Sequence, residues 1–124
     1  MQAIQTNDAP KAVGPYSQAI EVNGFVFLSG SIPVTPEGNK VEGPIEDKTH
    51  QVMKNLEAIL KKAELSFENV VKTEIFVTDL ANYAKVNEVY ASYMSKPYPA
   101  RVTVAVKELP LGSDVEISMV AFKG

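Results

Sequence analysis

The chain has 124 residues, no cysteine, one histidine and a formal net charge of −3 at neutral pH. That length suits one compact domain, residues 1–124, and the missing thiols exclude disulfides, thiolate nucleophiles and cysteine-bound metals. A lone histidine leaves little scope for a zinc site or a histidine-centred triad. The acidic balance argues against nucleic acid, whose phosphates need clustered lysine or arginine.

The opening MQAIQTNDAPKAV lacks the charged-then-apolar plan of a secretory signal. Nothing approaches the roughly 20 apolar residues of a membrane helix. A cytoplasmic protein with no membrane partner is expected. A short strand is expected at 2–5. QAIEVNGFVFLSG then reads as strands at 18–22 and 25–30 joined at Asn23-Gly24, because Asn-Gly between apolar runs is the strongest short hairpin signal. Residues 31–44, rich in Pro and Gly, predict a loop. Val52, Leu56, Ile59, Leu60 and Ala63 follow at helical spacing, with Lys54, Glu57, Lys61 and Lys62 on the opposite face.

VVKTEIFVTD (70–79) is rich in β-branched residues and predicts a strand. Asp79 is placed to cap a second helix over 80–95. Tyr83, Val86, Tyr90 and Met94 form a stripe on it that includes Asn87, and Pro97 and Pro99 end it. In RVTVAVK, Val102, Val104 and Val106 point one way and Arg101, Thr103 and Ala105 the other. VEISMVAF alternates in the same manner from Val115. The pattern is that of an α+β fold with both helices on one face of a mixed sheet. The opposite sheet face stays apolar, so oligomerisation is expected to bury it.

Arg101 is the only arginine; the other eleven cations are lysines. Its planar fork matches a carboxylate bidentately, which lysine cannot do. Read functionally it is a reserved anion clamp; otherwise it is a surface arginine paired with a nearby acid. Glu116, between Val115 and Ile117, either faces solvent on an edge strand or positions and deprotonates a water. In a simple hairpin centred near Leu111 the two would lie roughly 16 Å apart, too far for one small substrate. Either the last strand pairs elsewhere, or the two groups meet across a subunit boundary. Asn87, if buried, needs partners and serves as a structural bridge or a ligand contact. Tyr16 and Ser29 flank the first hairpin, where loops carry function. His50 has no evident acid or nucleophile partner and reads as a surface residue.

GPYSQA (14–19), FLSGSIP (27–33), THQVMKNLEAIL (49–60), VVKTEIFVTDL (70–80), VNEVY (86–90) and PARVTVAVKELPLGSDVEI (99–117) together resemble one family over essentially the whole chain. That family is the RidA/YjgF/UK114 group of reactive-intermediate (enamine/imine) deaminases. The resemblance implies a chorismate-mutase-like subunit and a homotrimer whose sheets line a central barrel, with clefts between subunits that take 2-imino and 2-keto acids. It implies that Arg101 clamps the substrate carboxylate and that Glu116 holds the attacking water. Tyr16, Ser29 and the backbone near Gly30 would line the cleft, with Asn87 beside the arginine. Arg101 and Glu116 of one site would come from different subunits.

Thr103 stands where the family often has cysteine, so only a backbone contact is carried over there; Ser31 stands where glutamine is common. The implied substrates are 2-aminoacrylate and 2-aminocrotonate from PLP-dependent dehydratases, and no metal or organic cofactor is required. The rivals are a keto-acid-binding regulator without turnover and an RNA-cleaving translation inhibitor, the latter opposed by charge.

Overall fold

The structure, a computed structural model, describes all of residues 1–124. Along the chain lie β1 (Gln2–Ile4), β2 (Ala19–Val22), β3 (Phe25–Ser31), α1 (Ile45–Lys62), β4 (Val70–Val77), α2 (Tyr83–Tyr93), β5 (Ala100–Ala105) and β6 (Val115–Phe122). The expected α+β class forms, as a six-stranded mixed sheet of order β1-β2-β3-β6-β4-β5. Only β4 and β5 run parallel. Asn23 and Gly24 make the β2–β3 turn with φ of 50° and 82°, the left-handed pair that a tight hairpin requires.

Helix α1 follows its periodicity. Val52, Leu56 and Leu60 are fully buried, while Lys54, Glu57, Lys61 and Lys62 are exposed. Glu46 and Asp47 in the first turn and Lys61 and Lys62 in the last complement the helix dipole. Helix α2 is shorter than its pattern predicts. Asp79 caps a 3-10 turn, Leu80–Asn82, by accepting from the Ala81 amide at 2.9 Å, and the α-helix starts only at Tyr83. At the other end Met94 is already extended, ahead of Pro97 and Pro99.

Both helices pack on one sheet face. Thr73, Ile75 and Val77 of β4 and Val115, Ile117, Met119 and Ala121 of β6 supply that face, each at most 2% exposed. This apolarity explains why β6 takes the centre of the sheet, between β3 and β4, where burial is greatest. The hairpin centred on Leu111 does not form. A turn at Pro110–Gly112, with Leu111 at φ 57°, carries the chain past β4, and β5 is left at the sheet edge. The opposite face has no cover within the subunit: Phe25, Phe27, Val102, Val104 and Phe122 are each 38–47% exposed. No helix is long and apolar enough to cross a membrane.

Candidate functional site

Two clusters gather the candidate residues, one on each side of the sheet. The first is built on β5 and α2. Arg101 pairs in register with Thr73 and therefore shares its helix-covered face. There Tyr83, Asn87 and Tyr90, at helical spacings of i, i+4 and i+7, surround its guanidinium. Nη1 donates to Asn87 Oδ1 at 2.6 Å and Nη2 to Tyr83 Oη at 2.8 Å. The Tyr90 ring centroid lies 5.3 Å from the guanidinium carbon, within cation–π range, and Tyr90 Oη donates to Thr73 Oγ1 at 2.9 Å.

No carboxylate completes this arrangement. The ion pairs of the subunit are Lys48–Asp114 and Lys123–Glu21. Burial raises the Tyr90 phenol pKa, against smaller opposing effects of the Thr73 hydrogen bond and the Arg101 charge. Tyr90 is thus neutral and no counter-ion. A hollow of about 310 Å³ lies against the guanidinium, lined by Asn87, Tyr90, Ala91, Tyr98 and Pro99 without an acid. The surface-pair reading of Arg101 fails: the cation is held by neutral acceptors only. The sequence stripe named Asn87 but treated Tyr83 and Tyr90 as packing. Their spacing from Asn87, with an arginine due nearby, was the signal available.

The second cluster is built on a β-bulge. Leu28 pairs with Met119 and Ser31 with Ile117, so Ser29 and Gly30 together oppose Ser118, the two-against-one count that defines a bulge. Ser29 Oγ donates to the Ser17 carbonyl at 2.6 Å, tying the bulge to the loop that carries Tyr16. Gln18, 5% exposed, anchors the same loop: its Oε1 accepts from the Thr6 amide and its Nε2 donates to the Thr6 and Pro10 carbonyls. Tyr16, Ser29 and Gly30 line one cleft of about 310 Å³ together with Ile32 and Leu111. Asn55, which the sequence reading missed, braces its wall by donating to the Val34 carbonyl at 2.8 Å.

Glu116 lies against this bulge. A Cβ on Gly30 would come within 2.7 Å of Glu116 Cδ, so the carboxyl occupies the space that glycine leaves. Glu116 pairs with Phe76 on the uncovered sheet face, on a central strand and half-buried, which removes the edge-strand reading. Burial raises its pKa above the ordinary carboxylate value.

Glu116 is level with Val104 through Phe76. It is thus about 10 Å along and about 10 Å across the sheet from Arg101, on the opposite face. The last strand does pair elsewhere, yet this does not bring the two groups together within a subunit. Thr103 shares the Arg101 face, and its Oγ1 is buried without a partner. His50 is half-buried rather than a free surface residue, with Nδ1 2.9 Å from Tyr93 Oη; it joins neither cluster. No group of His, Cys, Asp or Glu is placed to hold a metal ion.

The sequence matches the family Endoribonuclease L-PSP over residues 6–123. The chain belongs to this family, the RidA/YjgF family. It is 49% identical over 125 residues to a RutC family protein of Aquifex aeolicus, covering 99% of this chain and all of that protein. It is 47% identical to the chloroplastic Reactive Intermediate Deaminase A of Arabidopsis thaliana, over 97% of this chain and 65% of that protein. Among solved structures, E. coli TdcF with bound serine superposes with a TM-score of 0.95 at 35% identity, covering all of both chains. The RidA/YjgF fold is therefore the frame on which both clusters sit.

Proposed function

We propose that the chain is a 2-iminopropanoate/2-iminobutanoate deaminase acting as a homotrimer, with sites formed between subunits. The observation that carries this reading is the Arg101 guanidinium, fixed by Asn87 and Tyr83 at 2.6 and 2.8 Å with no acid beside it. A cation so oriented and unpaired suits a small carboxylate from outside the subunit. A serine-bound structure of a relative agrees with a ligand of that size that carries a carboxylate.

The uncovered face of Phe25, Phe27, Val102, Val104 and Phe122 supports association about a central barrel. That association would bring Arg101 of one subunit to Glu116 of another, which their own sheet keeps apart. In the assembled site Arg101 holds the carboxylate of the imine derived from 2-aminoacrylate or 2-aminocrotonate. Tyr16, Ser29, Gly30 and the backbone at Thr103 border the same space. Glu116 takes a proton from a water that adds to the imine carbon, while the imine nitrogen gains a proton. The resulting amino alcohol collapses to the 2-keto acid and ammonia.

A carboxyl whose pKa burial has raised above the ordinary carboxylate value is a stronger proton acceptor than a free carboxylate, as a general base requires. The supplying enzymes would be PLP-dependent dehydratases, with the cytoplasm as the shared compartment. RNA cleavage, the activity in the family's name, suits this chain less well, since its charge is −3 and its one arginine is tied down by α2.

A coupled assay tests the reading. A threonine dehydratase generates the intermediate, and keto-acid release is followed with and without the protein. Faster release, lost in Arg101→Ala, is expected. Arg101-dependent keto-acid binding with no acceleration would replace the enzyme by a sensor.

A further inference from the structure

Tyr83 begins α2 and is 38% exposed, so its position is not explained by core packing. Its phenolic oxygen accepts a hydrogen bond from Arg101 Nη2 at 2.8 Å and makes no other. A phenol that accepts still carries its own O–H. That hydrogen therefore has no acceptor in the subunit, although it sits against a guanidinium that has no anion.

The donor inventory of the fork is equally specific. Asn87 Oδ1 uses one proton of Nη1 and Tyr83 Oη one of Nη2, which leaves a proton on each terminal nitrogen and the Nε–H. With an acceptor on each terminal nitrogen and the Tyr90 ring 5.3 Å away, the guanidinium cannot rotate about its last torsion without losing a charge-assisted bond. A lone arginine on an edge strand would lose that orientation to rotamer freedom.

We infer that Tyr83 is a positioning residue of the Arg101 clamp, and that its phenolic O–H is a further donor to the carboxylate the fork holds. The inference rests on the reading of Arg101 as a carboxylate clamp and adds a specificity element to it. Asn87 Oδ1 only accepts from the fork, whereas Tyr83 both fixes Nη2 and presents a donor beside it. The pair of donors, cationic and neutral, selects a ligand oxygen that carries negative charge. A carboxamide, which presents one acceptor and two donor hydrogens, mismatches this pair.

The test is Tyr83→Phe, which deletes the hydroxyl and keeps the ring, read against native protein and Arg101→Ala. Pyruvate and its carboxamide are titrated into each, and KM and kcat are measured in the coupled assay. Pyruvate Kd and KM are expected to rise about tenfold, the loss of one hydrogen bond to a charged group. The expected kcat stays within about twofold, carboxamide binding does not change, and the melting temperature is unaltered. Undiminished pyruvate binding in Tyr83→Phe, alongside its loss in Arg101→Ala, would overturn the inference and leave the clamp standing. Equal weakening for pyruvate and the carboxamide would also overturn it, by making Tyr83 a packing residue. Native protein that binds no pyruvate would overturn the clamp and the inference together.

Discussion

Gly30→Ala separates the two clusters more sharply than removal of either charged residue. The new methyl would lie 2.7 Å from Glu116 Cδ and 3.0 Å from its Cγ and Oε1. Carbon–carbon contacts are comfortable near 3.5 Å, so the carboxyl must retreat by about 1 Å. The atoms that clash are the far end of a side chain, so the fold accommodates the change by swinging Glu116. Alanine is also favoured over glycine in a strand by about 0.5–1 kcal/mol, which offsets the steric term. Stability should therefore move by less than about 1 kcal/mol, a shift of a few degrees in melting temperature.

Catalysis should suffer far more, since a displacement of about 1 Å of a reacting group can lower the rate about a hundredfold. Arg101 lies on the other face of its own sheet, and its bonds to Asn87 and Tyr83 are untouched. The coupled assay should accordingly show kcat falling about 10- to 100-fold while pyruvate Kd, set chiefly by the arginine fork, changes by less than about threefold. A Gly30→Ala protein of native stability and native kcat would refute the placement of Glu116 in the reaction. A parallel loss of pyruvate affinity would refute the division of labour between the clusters.

Arg101→Lys keeps the charge but not the fork, and pyruvate affinity should fall at least tenfold, since about 1.5–3 kcal/mol attaches to a hydrogen bond to a charged group; titration calorimetry reads this directly. Glu116→Gln bears on stability against pH. Because burial raises the Glu116 pKa above its ordinary 4.5, between those two values the folded protein holds a proton that the unfolded chain has released. Native stability therefore falls as pH rises through that window. The glutamine variant should melt higher than native at pH 7 and equally at pH 4; a variant that melts lower at pH 7 contradicts the sign. Phe27→Glu puts a charge on the uncovered sheet face, and if the proposed trimer forms there, light scattering should show a smaller species than for the native protein. A variant of native assembly size would move the interface elsewhere.

Much of this architecture was legible from residue order. The Asn23-Gly24 turn, the spacing in α1 and the β-branched run of β4 each have one physical solution, and each forms. What the sequence did not show is where β6 inserts. The 3-10 turn at Leu111 and the crossing past β4 answer to the apolarity of Val115, Ile117, Met119 and Ala121, a competition among strands that no local pattern reports. The bulge at Ser29-Gly30 is half-legible: Ser-Gly within an apolar strand signals a bulge, but its purpose appears only once Glu116 lies over the glycine. Arg101 was noticed because it is solitary. Its partners Tyr83 and Tyr90 were not, because aromatic residues on a helix stripe usually mean packing. Gln18 and Asn55 escaped notice since a buried amide looks, in sequence, like a surface one.

The central claim is that the reacting site is shared between subunits, and subunit mixing tests it most directly. The Arg101→Ala and Glu116→Ala proteins, each expected to be inactive alone in the coupled assay, are denatured together in equal amounts and refolded. If each site takes its arginine from one subunit and its glutamate from another, random mixing restores both in about a quarter of sites, so about a quarter of native activity should return. If both residues act from one subunit, no mixed trimer contains an intact site, and a mixture that stays inactive while exchanging subunits would contradict the account.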